Sequence, residues 1–335
     1  MALTIAWVIF GNTPLGVVHS QDAKPQQATE GMVRASLHNV KYRFAENVSV
    51  QINDLKGAIV AIRDRQTAVF DDKESFKVRI DVAEVAISPQ DLANLLNQFV
   101  FSRPGSQLAG ISVATVTQSG SHQGHLKIKG RLRDKGDLPF EMEGALVPTL
   151  DGKLRLHGEK MKALKIPVSG LMGAFGIEID DLIKSGKVPG VSTEENDLVF
   201  DLEQMLPPPR IEGKVTRVRV EPNTIVYTIA RDPNGARDAK TASDGKPMPK
   251  LRGNYMEFLG DRMVVGKFTM EDCDLVILDM DPGDPMDFFL DRYKEQLAAG
   301  SLKIGTNSQV RAYMKDYGKL AAGKNAGAGT AIEKK

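Results

Sequence analysis

Acidic residues between positions 279 and 287 are the part of the sequence best suited to chemistry. They occur in the run Asp279-Met280-Asp281-Pro282-Gly283-Asp284-Pro285-Met286-Asp287. Closely spaced carboxylates bind Ca²⁺ or Mg²⁺ through their oxygen atoms, but an EF-hand loop places its glycine and its last glutamate at other positions. Helix capping already accounts for Asp284 and Asp287. We therefore predict no metal site and no cofactor.

Two histidines, His122 and His125, lie three residues apart and suggest zinc chemistry. Zinc needs further ligands, and two histidines at this spacing converge only on a helix or with a third partner. Gly120 and Gly124 flank the pair, which indicates a turn between strands. A solvent-exposed hairpin tip is therefore the better interpretation.

A nucleophile is also hard to find in this sequence. The single cysteine, Cys273, lies between Asp272 and Asp274, and these two charges raise a thiol pKa and weaken the nucleophile. Ser169-Gly170 lacks the Gly-x-Ser-x-Gly elbow of serine hydrolases. No phosphate-binding loop or dinucleotide-binding fingerprint is present. We predict no catalytic residue and a protein that is not an enzyme.

Composition narrows the class of protein further. The chain has 335 residues, of which 41% are hydrophobic, so it can bury a large core. Lysine and arginine number 44 against 43 aspartates and glutamates, a formal net charge of +1. This balance argues against a dedicated nucleic-acid-binding protein. One cysteine also excludes an intrachain disulfide.

The first half of the chain reads mainly as strands with one helix. Residues 48–52 alternate apolar and polar side chains, as do residues 76–82, where the apolar positions are Phe76, Val78, Ile80 and Val82. Ser88 is a good helix N-cap, Pro89 suits the first helical position, and Asp91 can reach back to the cap. The helix face that follows packs on a sheet, lines a lipid groove, or does both; it consists of Leu92, Leu95, Leu96, Phe99 and Val100.

The second half adds strands and two further helices. A small, glycine-rich apolar stretch covers 166–177, and a second helix follows at 180–184. Three prolines after Leu206 force an extended path. A hairpin over 211–229 turns at Glu221-Pro222-Asn223. A third helix opens at Asp284-Pro285 and ends near Gly300, before a last strand at 301–304.

The N-terminus resembles a secretory signal peptide. Residues 3–10 are apolar but too few to span a bilayer, and small residues at 18 and 20 suit cleavage after Ser20. No lysine or arginine precedes the apolar run. Either the true start lies upstream, or this segment is a buried strand. The signal-peptide interpretation predicts an exported protein of the periplasm or cell envelope.

Several features of the sequence together resemble TULIP-type (tubular lipid-binding) domains. They are the strand series, the helix from Ser88, the long hairpins, the Leu206-Pro207-Pro208-Pro209 step and the strand from Ile211. Among these they are similar to LmeA-like envelope proteins of actinobacteria and, more loosely, to AsmA-like proteins. The resemblance covers residues 32–230. It implies an α+β fold in which a strongly twisted, mostly antiparallel sheet wraps around one or two long helices and leaves an apolar tunnel. It implies no catalytic residues.

The sequence and this resemblance together predict the following organisation: a signal peptide (1–20), a flexible leader (21–31), a lipid-binding-like domain (32–230), a mobile linker (231–250), a smaller C-terminal α+β strand-helix region (251–320) and a disordered tail (321–335). The candidate residues of an apolar groove are Leu92, Leu95, Leu96, Phe99, Leu171, Met172, Phe175 and Ile177. Thirteen methionines suit a nonselective groove, or they simply fill the core.

We therefore predict a protein that binds a lipid or another amphipathic molecule, with no nucleic-acid partner. Further partners would be an envelope protein and the membrane surface, in peripheral contact. Two alternatives stay open at this point. One is a structural or interaction protein with a solid core, and the other is an envelope hydrolase. An apolar cavity of hundreds of cubic ångströms separates the lipid-binding protein from the solid-core protein.

Overall fold

A computed structural model describes residues 32–62, 67–116, 124–133, 136–163, 188–194, 197–231, 251–305 and 309–320. The strands in these ranges are β1 Met32–Ala45, β2 Val48–Ala61, β3 Ala68–Val69, β4 Phe76–Ile87, β5 Leu108–Val116, β6 His125–Leu132, β7 Leu138–Pro148, β8 Leu154–Ala163, β9 Val191–Glu194, β10 Asp197–Phe200, β11 Arg210–Glu212, β12 Lys214–Glu221, β13 Thr224–Ala230, β14 Tyr255–Gly260, β15 Met263–Val265, β16 Phe268–Met270, β17 Cys273–Asp279, β18 Met286–Phe289, β19 Ser301–Ile304 and β20 Val310–Met314. The helices are α1 Pro89–Leu95, α2 Leu202–Met205 and α3 Tyr293–Ala298, with a π turn at Leu96–Val100, a 3₁₀ turn at Leu290–Arg292 and a helical stretch at 317–320.

These strands form three sheets. The large sheet has eleven strands in the order β12-β13-β4-β2-β1-β14-β17-β20-β19, with β11 beside β4 and β18 beside β1. A six-stranded sheet has the order β5-β6-β7-β8-β10-β9, and a small one the order β16-β15-β3. Strands from residues 251–320 join the large sheet directly, because β14 pairs with β1 in antiparallel register. One continuous apolar core connects the sheets.

The prediction of an α+β fold around one or two long helices is wrong. The described part of the chain is mostly β, and its helices are short. The helical segment from Pro89 to Val100 is the longest there, and its last five residues form the π turn. The predicted helix at 180–184 lies outside the described residues.

The helix predicted from Asp284 is also wrong at its start. Residues 286–289 form β18, which runs parallel to β1, and α3 begins only at Tyr293. Met286 and Phe288 are fully buried, so core packing overrides the local capping signal. Asp287 is not a helix residue: its carboxylate accepts two hydrogen bonds from Arg43 of β1, at 2.5 and 2.7 Å.

The large sheet is bent where three neighbouring strands change the face of their side-chain alternation. The change falls at Asn39 in β1, at Asn53 in β2 and at Asp81 in β4. Asn39 has a φ of 52°, and the β2–β4 register shifts between Ile52 and Asp54 and again between Lys56 and Gly57. Gly57 lies at one shift, where a Cβ atom would stand 2.2 Å from the carbonyl oxygen of Arg79. Such bulges sharpen the twist and make one face of the sheet concave.

Several local predictions are confirmed. Ser88 caps α1 and accepts a hydrogen bond from the backbone N–H of Asp91. Asn223, with a φ of 58°, turns the β12–β13 hairpin. The predicted signal peptide, leader and C-terminal tail lie outside the described residues, as do residues 232–250 of the predicted linker. Within the described ranges, no helix has the length and apolar character needed to cross a membrane.

Candidate functional site

An apolar cavity lies between the concave face of the large sheet and the segment of residues 202–211, called here the facing segment. Its volume is about 160 Å³. Strands β1, β2, β4, β13 and β14 supply most of its wall, and Phe70, Phe288 and Leu290 add to it. The described residues that line it are alanine, valine, leucine, isoleucine, methionine, proline, phenylalanine or tyrosine. The cavity wall in this part of the chain therefore carries no charge.

Many side chains of this wall are only partly covered by other residues. A packed core leaves few voids larger than a water molecule, and its residues interdigitate. Here the half-buried apolar side chains meet the cavity from both sides; they are Tyr42, Phe44, Val50, Val78, Val85, Leu92, Leu202, Leu206 and Ile211. The arrangement leaves apolar surface accessible inside the molecule.

The facing segment closes the cavity opposite the sheet. Asp201 caps α2, since its carboxylate accepts a hydrogen bond from the backbone N–H of Glu203 at 3.1 Å. Leu206 has an extended backbone, the peptide bond between Pro208 and Pro209 is cis, and the chain then enters β11. That strand runs parallel to β4, where Lys77 and Glu212 form an ion pair at 2.8 Å. The segment is thus fixed at both ends.

The helix stripe predicted as a groove is divided by the π turn. Leu92 and Leu95 of α1 line the cavity, whereas Leu96 and Phe99 pack in the core away from it. A π turn adds a residue to the helical repeat and rotates the residues after it. Asn97 fixes this orientation, because its side-chain amide hydrogen-bonds the backbone N–H and C=O of Ile111 at 2.8 and 2.7 Å.

The other four predicted groove residues, Leu171, Met172, Phe175 and Ile177, lie outside the described residues. The sequence reasoning missed most of the observed wall, which comes from strand residues such as Ile52, Tyr227 and Phe258. Period-two alternation in β2 and β13 is the signal that could have pointed to them. Which strands share one concave face depends on long-range pairing and could not be predicted from that signal.

Two tyrosines are the only cavity-lining residues in the described ranges that carry a hydroxyl group. Tyr42 lies on β1 and Tyr227 on β13. Among the described residues, neither hydroxyl has a hydrogen-bond partner. Burial raises the pKa of both phenols well above the usual range, and the charge of Asp291 adds to the effect at Tyr42. Both hydroxyls therefore remain protonated hydrogen-bond donors.

A cluster of paired charges lies beside one end of the wall. Cavity residues Phe70 and Leu290 are each followed by an aspartate. Asp291 binds Lys73 at 2.7 Å, and Asp71 pairs with Lys294. Burial opposes ionisation of Asp71, but hydrogen bonds from Lys294, the Gly266 N–H and the Tyr293 hydroxyl outweigh it and lower its pKa. The positive and negative charges here are matched.

Comparison with protein-family models, with curated proteins and with solved structures finds no match.

The groups considered first for chemistry do not meet at one place. Burial, more than the neighbouring aspartates, raises the pKa of the Cys273 thiol to about 11. His125 bonds Glu159 at 2.8 Å on the six-stranded sheet, and His122 lies outside the described residues. Asp284 binds Lys319 at 3.0 Å. No group of three or more histidine, cysteine or acidic side chains in the described ranges could hold a metal ion.

Proposed function

We propose that this protein binds a lipid chain, or a similarly slender apolar molecule, in the cavity between the large sheet and the facing segment. The observation that supports this function is an uncharged wall whose half-buried side chains meet accessible space. Binding there needs no catalytic group. Export, a place at the cell envelope, an envelope protein partner and contact with a membrane surface stay predictions of the sequence.

The size of the cavity sets how much of a ligand it holds. A dry cavity of about 150 Å³ lined by aliphatic and aromatic side chains binds benzene. The present cavity has a similar volume of about 160 Å³, below the several hundred expected of a tunnel. It therefore accommodates about six carbon atoms, worth roughly 5 kcal/mol at about 0.8 kcal/mol per methylene withdrawn from water. That is one end of an acyl or isoprenoid chain.

The proposal is tested by titrating the full chain, purified without detergent, with N-phenyl-1-naphthylamine. This neutral probe brightens in apolar surroundings, and its phenyl ring has six carbon atoms, as many as the cavity holds. We expect saturable binding of one probe per chain. A linear, unsaturable signal would instead support the alternative of a structural protein with a solid core.

Two leucine variants localise the binding. Leu92 and Leu138 are both half-buried and packed on the core, but only Leu92 lines the cavity. Leu92→Gln should weaken probe binding at least tenfold, because it puts an amide on an apolar wall. Leu138→Gln should leave the affinity unchanged. Equal losses in both variants would mean that the probe binds elsewhere.

A further inference from the structure

The hydroxyl of Tyr227 is a polar group on an otherwise apolar wall, and it forms no hydrogen bond within the described part of the chain. The side chain is 8% exposed and lines the cavity. Its oxygen is not one of the fully buried, unpartnered side-chain atoms of the described residues, so it keeps surface that a small molecule can reach. Among the described residues none supplies a partner for it. A ligand oxygen within the cavity would.

Water is a poor alternative partner at this position. A buried water normally makes two to four hydrogen bonds to polar groups. The other hydroxyl on the described wall belongs to Tyr42, and β1 and β13 lie three strands apart, with β2 and β4 between them. At about 4.8 Å per strand the two backbones are about 14 Å apart. A water at Tyr227 would find few polar neighbours.

The charge of the surroundings restricts what the ligand can be. No lysine, arginine, histidine or acidic residue lines the described wall. An ionised head group placed there would lose its hydration without gaining a counter-charge, which is unfavourable. The aspartates that follow the lining residues Phe70 and Leu290 are already paired, Asp71 with Lys294 and Asp291 with Lys73.

We infer that the cavity selects an uncharged amphiphile, a slender aliphatic chain bearing one neutral oxygen, and that the Tyr227 hydroxyl donates a hydrogen bond to that oxygen. The inference rests on the proposed function. An alcohol oxygen and an ester carbonyl oxygen share this chemistry. Tyr227 is then a residue that determines specificity, because removing its hydroxyl affects only ligands that carry an oxygen. Tyr42, whose hydroxyl feels the charge of Asp291, is not assigned this role.

The test uses three ligands of equal chain length: heptane, 1-heptanol and heptanoate at pH 8. Each displaces N-phenyl-1-naphthylamine from the full chain, from Tyr227→Phe and from the control Tyr313→Phe. Tyr313 is a half-buried tyrosine on β20 that does not line the cavity. We expect Tyr227→Phe to weaken heptanol about three- to tenfold, the effect of one hydrogen bond, and to leave heptane within twofold. Tyr313→Phe should change neither.

The order of the ligands on the unmodified protein is a second readout that needs no variant. Heptanol should bind at least tenfold more tightly than heptanoate. Equal effects of Tyr227→Phe on heptane and heptanol, or heptanoate binding as tightly as heptanol, would overturn the inference while leaving the proposed function standing. Failure of the probe and of all three ligands to bind the unmodified protein would overturn both.

Discussion

Replacing Val85 by phenylalanine should fill most of the cavity without disturbing the sheet. Val85 lies on β4 between Ile52 of β2 and Tyr227 of β13, and its half-buried side chain lines the cavity. The substitution adds four carbon atoms to a space that holds about six. A ligand that loses room for four carbons loses about 3 kcal/mol of transfer free energy. That corresponds to about 100-fold weaker binding.

The stability of this variant should change little. Filling the cavity adds apolar contact, whereas fitting a larger side chain costs about 1–3 kcal/mol when the surroundings must adjust. We expect these contributions to leave the free energy of unfolding within about 1 kcal/mol of the unmodified protein. Urea denaturation measures this, and titration with N-phenyl-1-naphthylamine measures binding.

Val82→Phe is the matched control on the same strand. Val82 is half-buried, pairs with Lys56 and Ala230, and does not line the cavity. It lies beyond the bend at Asp81, on the opposite face of the sheet. Probe affinity should therefore be unchanged in Val82→Phe. A folded Val85→Phe that binds the probe within threefold of the unmodified protein would refute the assignment of the cavity.

Three further predictions concern single side chains. Burial raises the pKa of the Cys273 thiol to about 11, so iodoacetamide at pH 8 should label it only after denaturation; rapid labelling of the native chain would contradict this. Arg43→Ala leaves the buried carboxylate of Asp287 without its cationic partner and should lower the free energy of unfolding, measured by urea denaturation, by about 3–5 kcal/mol. A loss below about 1 kcal/mol would show that the pair does not anchor β18. Burial, followed by the charge of Asp274, raises the pKa of Glu257 above 4.5 in the folded state. Because the native state then holds the proton more tightly than the unfolded state, the free energy of unfolding falls as pH rises through that folded pKa. Glu257→Gln should therefore raise the melting temperature at pH 7 and lose this advantage near pH 4; an equal gain at both values would count against the argument.

Local signals predicted the strands well and their faces less well. The alternation over residues 76–82 identified β4, and Phe76, Val78 and Ile80 do line the cavity. Val82, the fourth apolar residue of that pattern, lies on the other face. The reason is the extra residue at Asp81, which shifts the register against β2 beside Gly57. A bulge depends on the partner strand and is not visible in one strand's own pattern.

Capping signals show the same limit. Ser88 and Asp284 both precede a proline and an apolar run, yet only Ser88 begins a helix. The difference comes from distant parts of the chain: Met286 and Phe288 are buried in the core, and Asp287 pairs with Arg43, 244 positions away. The candidate site is subject to the same limit of local sequence signals. Its helix residues could be found from their spacing, but the wall of β1, β2, β4, β13 and β14 follows from pairings between distant parts of the chain.

Native mass spectrometry of the full chain, isolated from a bacterial host without detergent, tests the central claim most directly. We predict that the unmodified protein carries one uncharged apolar ligand per chain, that solvent extraction removes it, and that an added long-chain alcohol or ester replaces it. The Val85→Phe variant should carry none. A ligand-free mass for the unmodified protein, with no uptake of the added alcohol or ester, would contradict the account and favour a solid-core structural protein.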